Sequence, residues 1–155
     1  MNKKSVSVRE DRIAKLETIR KLGINPYPST LSFERELAIS ALKKEGQEVG
    51  VAGRILGWRP HGDIIFADVV DESGKIQAFF QRKNLGEQFD FLKLIDLGDF
   101  IAVKGRVIKT IAGEISVDVQ EYQLLTKTIR PLPSKWYGLK DEEERYRRRY
   151  LDLLL

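Results

Sequence analysis

The sequence predicts a mainly β domain with flanking helices: a five-stranded Greek-key barrel behind an N-terminal helical extension. Three observations carry that expectation. From Val49 onward the apolar period switches from helical spacing to strict alternation. Between Gly53 and Arg82 a hairpin can be drawn whose two faces are chemically distinct. The elements then follow in the order three strands, a helix, two strands, which is the order of a small closed barrel.

The hairpin is the best-defined piece. Asp71-Glu72-Ser73-Gly74 is a tight-turn sequence, with Asp suited to the first corner and Gly to the last. Closing it with Val70 opposite Lys75 pairs Ile65, Ala67 and Val69 with Phe80, Ala78 and Ile76, all apolar. Alternation then sends Phe66 and Asp68 to the other face, across from Phe79 and Gln77. A phenyl ring beside an amide on the outer side of a sheet can stack an unpaired base and hydrogen-bond its edge.

The remaining elements follow in order. Ser7 to Glu10 has capping-box spacing, and Ile13, Leu16, Ile19 and Leu22 form an apolar face that Gly23 ends. The Ile24 to Pro28 stretch, with two prolines, forbids helix. A second helix is expected after Ser32, burying Phe33, Leu37, Ala41 and Leu42 and stopping at Gly46. Both helices read as packing elements before ligand contacts. Strand one carries Val51 and Ile55 into a loop from Gly57 to Asp63, and Asn84 opens a helix bearing Leu85, Phe89 and Leu92. After Asp96 to Asp99, strand four shows Ile101, Val103 and Val107 on one side. Ala112-Gly113 turns the chain, and Ile115, Val117 and Val119 alternate with Glu114, Ser116 and Asp118 in strand five. This is the arrangement called the OB-fold, whose known use is to hold single strands across its second and third strands. Three parts result: a helical extension over 1–48, the barrel over 49–125, and a linker with a further helix start over 126–155. In that last part Arg130 to Pro133 reads as extended linker. Asp141 to Glu144 repeats the cap pattern, with Glu143–Arg147 and Glu144–Arg148 at ion-pair spacing, so the arginine run reads as a solvated helical face ahead of a nucleic-acid patch. The Tyr150 to Leu155 stripe looks like a surface that has a partner.

Composition narrows the function classes. With 155 residues, 42% hydrophobic and 32% charged, the chain should fold as one domain with appendages. No apolar run approaches membrane-spanning length and the N-terminus lacks a signal segment, so a cytoplasmic protein is expected. Zero cysteines exclude disulfides and thiolate metal sites, and one histidine leaves no ordinary zinc cluster. The net charge of +4 is only a mild lean towards polyanions. Phosphate-loop, nucleophile and metal signatures are missing, which argues against an independent enzyme.

Four segments carry a family resemblance: RKLGINPYP at 20–28, IFADVVDESGKIQ at 65–77, LDLGDFIAVKGRVIKTIAGEISV at 96–117, and LLTKTIRPLPSKWYGLKDEEERYRRRYLDLL at 124–154. The chain closely resembles the N-terminal, anticodon-binding part of bacterial class II lysyl-tRNA synthetases. The barrel segments alone would fit aspartyl or asparaginyl enzymes nearly as well, and the flanks point to the lysine enzyme. The resemblance implies that the barrel binds the uridine-rich anticodon stem-loop of tRNA(Lys). It places the family's stacking phenylalanine on Phe66, its base-reading glutamine on Gln77, an arginine of the first strand on Arg59, and the acidic residue before strand five on Glu114. Phe79, Trp58 and His61 are further candidates for RNA contact. Trp58 stands where relatives often carry a basic or small residue, and reads as a packing residue ahead of an extra stacking platform. His61 reads as a solvated loop residue. Pro60 to Asp63 replaces a loop that usually has a lysine after its glycine, so no phosphate contact is expected there. The family's catalytic domain activates lysine with ATP and Mg2+. Its motifs lie beyond Leu155, so this chain by itself is expected to need no cofactor or metal and to bind without catalysing. Full-length relatives are homodimers; this chain is expected as a monomer or weak dimer. Two other readings stay open: a structural or protein-interaction piece docking through Leu153 to Leu155, and a single-strand binder without sequence preference.

Overall fold

A computed structural model describes residues 7–132 and Arg147. Five strands, β1 (Glu48–His61), β2 (Ile64–Asp71), β3 (Gly74–Gln81), β4 (Phe100–Lys109) and β5 (Ile115–Thr126), close into a barrel in the order β1-β2-β3-β5-β4. All neighbours are antiparallel except β3 and β5, which run parallel. Closure leaves no free sheet edge, and the inward residues fill the interior: Ile55, Ala67, Val69, Ile76, Ala78, Phe80, Ile101, Val103, Val107, Val117 and Val119 are all buried. The β2–β3 register is the one the sequence dictates, with Val70 opposite Lys75, Ile65 opposite Phe80 and Phe66 opposite Phe79.

Helix α1 (Val8–Lys21) has the expected capping box, with the Glu10 amide donating to Ser7 Oγ at 3.2 Å and the Ser7 amide to Glu10 at 2.9 Å. Gly23 closes it through a Schellman motif, its amide bonding Arg20 O while that of Ile24 bonds Ile19 O. Leu16 and Ile19 are buried as expected. Leu22 is not: it is 59% exposed, because the reversal at Gly23 carries it off the packed face.

Three other expectations are corrected. The second helix shrinks to one turn, α2 (Ala38–Ala41), while the chain from Phe33 to Leu37 lies against β1, with the Glu36 amide on Gly50 O at 2.8 Å. The hairpin turn sets its start, since the Asp71 carboxylate takes the Ala38 amide and the Ser73 hydroxyl takes that of Ile39. Leu37 is consequently exposed, whereas Ala38 and Ala41 are buried. The expected Gly57 to Asp63 loop is strand: β1 continues through a bulge between Ile55 and Gly57 and pairs His61 with Ile64, leaving Gly62-Asp63 as a two-residue turn. The helix expected from Asn84 begins at Arg82 and breaks into α3 (Arg82–Leu85), α4 (Gln88–Phe91) and a 3-10 turn at Leu92–Leu94. Gly86, at φ +58°, ends the first turn in a conformation only glycine takes readily. Leu85, Phe89 and Leu92 still plug the barrel end. Asn84 caps nothing; its amide donates to Asp118 at 2.9 Å.

A buried ion cluster, unforeseen in the sequence, ties the extension to the segment leaving β5. The fully buried Lys127 ammonium donates to Asp96 at 2.7 Å and Asp99 at 2.8 Å, and Lys15 of α1 reaches Asp96 at 2.7 Å. Arg130 to Leu132 carry neither helix nor strand. Of the helix expected after Asp141 only Arg147 is described, and it is helical; the partners of its expected ion pairs and the Leu153 to Leu155 tail lie outside the described residues.

Candidate nucleic-acid interface

Outside the barrel, β1, β2 and β3 and the β4–β5 loop enclose an open groove of about 700 Å3. Arg59, Phe66, Gln77, Phe79 and Glu114 all line it. They arrive together because Arg59 pairs with Phe66 across β1–β2, Phe66 with Phe79 across β2–β3, and Gln77 with Ser116 across β3–β5. Each is an odd step from the core residue beside it, so each projects outward.

The two phenyl rings stack on each other, with centroids 4.6 Å apart and planes 4° from parallel. Each ring therefore covers one face of the other, and the pair presents only its outer faces in a mostly apolar groove whose other walls include Ile64, Ile108 and Ile111. Ile111, at the tip of the β4–β5 loop, is fully exposed. Arg59 forks onto Asp68 through two parallel hydrogen bonds of 2.9 Å each. Those bonds push the Arg59 pKa up further, outweighing its partial burial, and the guanidinium keeps donors to spare. Gly57 makes the fork possible: a Cβ there would collide with the Asp68 carboxylate and sit 2.8 Å from Arg59 Nη1.

Gln77 forms part of the floor and is only 6% exposed. Its Oε1 accepts from the buried Ser116 hydroxyl at 2.8 Å, and its Nε2 donates to Glu114 at 3.3 Å. Lys75 lies beyond, 3.6 Å from Glu114 and 3.9 Å from Asp68. The groove therefore offers a flat aromatic surface, a fixed guanidinium and an amide of defined polarity.

Trp58 is not brought into the groove. It pairs with the inward Ala67 and packs on Phe80 at a centroid distance of 5.9 Å. His61 is exposed at the end of the β1–β2 hairpin, opposite Ile64. Ile111 lines the groove, and Ser116 and Asp68 hold the lining residues Gln77 and Arg59; the sequence assigns none of the three a role there. Ser116 and Asp68 could have been found from alternation alone, since each shares a face with Gln77 or Phe66 once the register is fixed.

Residues 49–125 match the family model of an OB-fold nucleic acid binding domain, in its tRNA anticodon form. A lysine–tRNA ligase of Moorella thermoacetica is 43% identical over 150 residues, covering 93% of this chain and 30% of the relative. Residues 49–125 are thus an anticodon-binding OB domain, in a chain homologous to part of the lysine–tRNA ligases. The ligase of Dehalococcoides mccartyi is 45% identical over 153 residues, and that of Thermotoga maritima 38% over 160. Against these two the chain covers 31% and 32% of the relative, while 92% and 95% of the chain is matched. The chain thus spans about a third of the length of its lysine–tRNA ligase relatives. No helix among the described residues is long and apolar enough to cross a membrane.

Proposed function

We propose that the groove binds the uridine-rich anticodon loop of a lysine tRNA and reads its central base. The observation that carries this is the convergence of Arg59, Phe66, Gln77, Phe79 and Glu114 on one open groove of a nucleic-acid-binding barrel. A splayed uracil stacks on the outer face of Phe66, which is backed by Phe79. Its carbonyl oxygens accept from the spare donors of Arg59 and from Gln77 Nε2, and its N3–H donates to Glu114. Stacking gives sequence-tolerant affinity, and the polar groups add discrimination, because a wrong base leaves buried partners unpaired. The whole protein, on this reading, attaches lysine to that tRNA with ATP in the cytoplasm, and the barrel supplies recognition without chemistry of its own.

The test is a titration of an anticodon stem-loop and three variants with the central uridine replaced. Uridine should bind tightest by about tenfold, one polar contact's worth. Equal affinity for all four bases would remove base reading and leave a general single-strand binder.

A further inference from the structure

We propose that a second cleft, beneath α1, is the dock for the stretch of this chain that follows Leu132, residues 133–144, and that Arg12 receives one of its acids. The N-terminal extension would then set the path along which the chain leaves the barrel. The cleft, of about 540 Å3, lies between α1, the β1–β2 hairpin and α4, and it shares no lining residue with the groove. The path towards it is fixed as far as Leu132 although no helix or strand is involved. The Tyr27 hydroxyl donates to Lys127 O at 2.8 Å, and Thr128 donates through its amide to Asp99 at 2.8 Å and through its hydroxyl to Gly98 O at 2.7 Å. Leu132 then packs beside Gly98, where a Cβ would come within 3.3 Å of its Cγ. The neighbouring Leu97 lines the cleft and is 44% exposed, so the chain is delivered to the cleft's rim.

Arg12 says what the cleft lacks. It lines the cleft and is only 6% exposed, yet its Nε has no hydrogen-bond partner. Its Nη1 makes two long bonds, 3.4 Å to Thr128 O and 3.5 Å to Arg130 O. The other cations of the cleft have carboxylates of their own: Lys15 has Asp11 and Asp96, Arg82 has Asp63 and Asp90, and Lys93 has Asp90. Arg12 has none among the described residues. A guanidinium taken out of water without an anion is costly, so this one calls for a carboxylate. The chain carries the matching order of groups: Trp136, Tyr137 and Leu139 are followed at once by Asp141 to Glu144. The cleft pairs apolar walls, Trp58, Phe89 and Leu97, with Arg12. Nine residue steps from Leu132 to Asp141 span up to about 30 Å, enough to cross the cleft and return. Glu143 and Glu144 stand at ion-pair spacing from Arg147 and Arg148, which leaves Asp141 and Glu142 as the acids for Arg12.

The test uses the 155-residue chain, whose two tryptophans are Trp58 and Trp136, so Trp58→Phe leaves Trp136 as a single reporter. In that background Trp136 should emit as a buried indole and resist acrylamide. Neutralising Asp141→Asn with Glu142→Gln should make its quenching several-fold faster, and Arg12→Gln should do the same. In thermal melts each change should lower Tm by a few degrees, and Arg12→Gln combined with the acid pair should lower it no further than Arg12→Gln alone, because both remove one interaction. Should Arg12→Gln not fold, the acid pair still decides the matter through Trp136. A Trp136 quenched as fast as free tryptophan in the parent protein, or Tm losses that simply add, overturns the dock. So does Arg12→Gln weakening stem-loop binding while the acid pair leaves Trp136 unmoved, the result expected if an RNA phosphate fills the cleft. Stem-loop affinity unchanged in both variants, with Trp136 released, supports the dock whether or not the groove reads the anticodon.

Discussion

Replacing Phe66 by alanine separates the fold from its use. The ring is only half-buried and rests on Phe79 at 4.6 Å and 4°. Its loss removes a pair interaction of about 0.5–1.5 kcal/mol together with the apolar area that the ring buries, a sum below the ~3–5 kcal/mol of a core Phe→Ala change because part of the ring already faces solvent. The barrel should therefore stay folded with a modestly lower Tm. Base stacking on such a ring is worth about 1–3 kcal/mol, so stem-loop affinity should fall by roughly 5-fold to 150-fold. Phe66→Leu keeps apolar volume without a flat face and should lie nearer alanine than wild type, while Phe66→Tyr keeps the face and should bind within about threefold of wild type. The assay is fluorescence anisotropy of a labelled stem-loop at one fixed salt concentration, with thermal melts alongside. A folded Phe66→Ala protein that binds within about twofold of wild type would refute the stacking role.

Other perturbations have defined outcomes. Gly57→Ala drives a methyl into the Asp68 carboxylate, so it should break the Arg59 fork and weaken stem-loop binding several-fold; crystallography of the variant checks the fork directly. Lys127→Met leaves Asp96 and Asp99 without their buried cation and should cost about 3–5 kcal/mol by chemical denaturation, with groove affinity unchanged in the folded population. Acidification has a sign. Burial pushes the Asp71 carboxyl up, but hydrogen bonds from Ser73, Ala38 and Gly74 outweigh it and hold the pKa below its ordinary value. Asp71 therefore adds stability that is present above the unfolded carboxylate pKa of about 4 and is lost as pH falls through the folded value, and Asp71→Asn should flatten that acid limb in urea titrations. Asp96 behaves alike, since Lys127 and Lys15 outweigh its burial; Asp99, pushed up by burial, runs the opposite way.

What could be read in advance tracks the range of the forces involved. The β2–β3 hairpin is legible because a period-two pattern and a local turn fix register together, and a one-residue slip would turn Phe66, Asp68 and Gln77 into the barrel's apolar interior. Hence the face shared by Phe66 and Gln77 followed from the chain alone. The α1 cap was local in the same way. The second helix was misread because a distant carboxylate, Asp71, decides where it starts, and the β1 extension because the bulge at Gly57 lets the strand run past what looked like turn chemistry. Long-range polar partners were invisible for the same reason. Lys127 lies 31 residues from Asp96, with nothing in the intervening sequence to announce the contact.

The most direct measurement is an isotope-filtered NMR spectrum of the protein bound to an anticodon stem-loop. The expected result is nuclear Overhauser contacts from H5 and H6 of the central uridine to the ring of Phe66, with shifts confined to β2, β3, the β4–β5 loop and the Arg59 end of β1. Contacts and shifts centred instead on the groove between Ile24 and Tyr122, on the far side of β5, would contradict it.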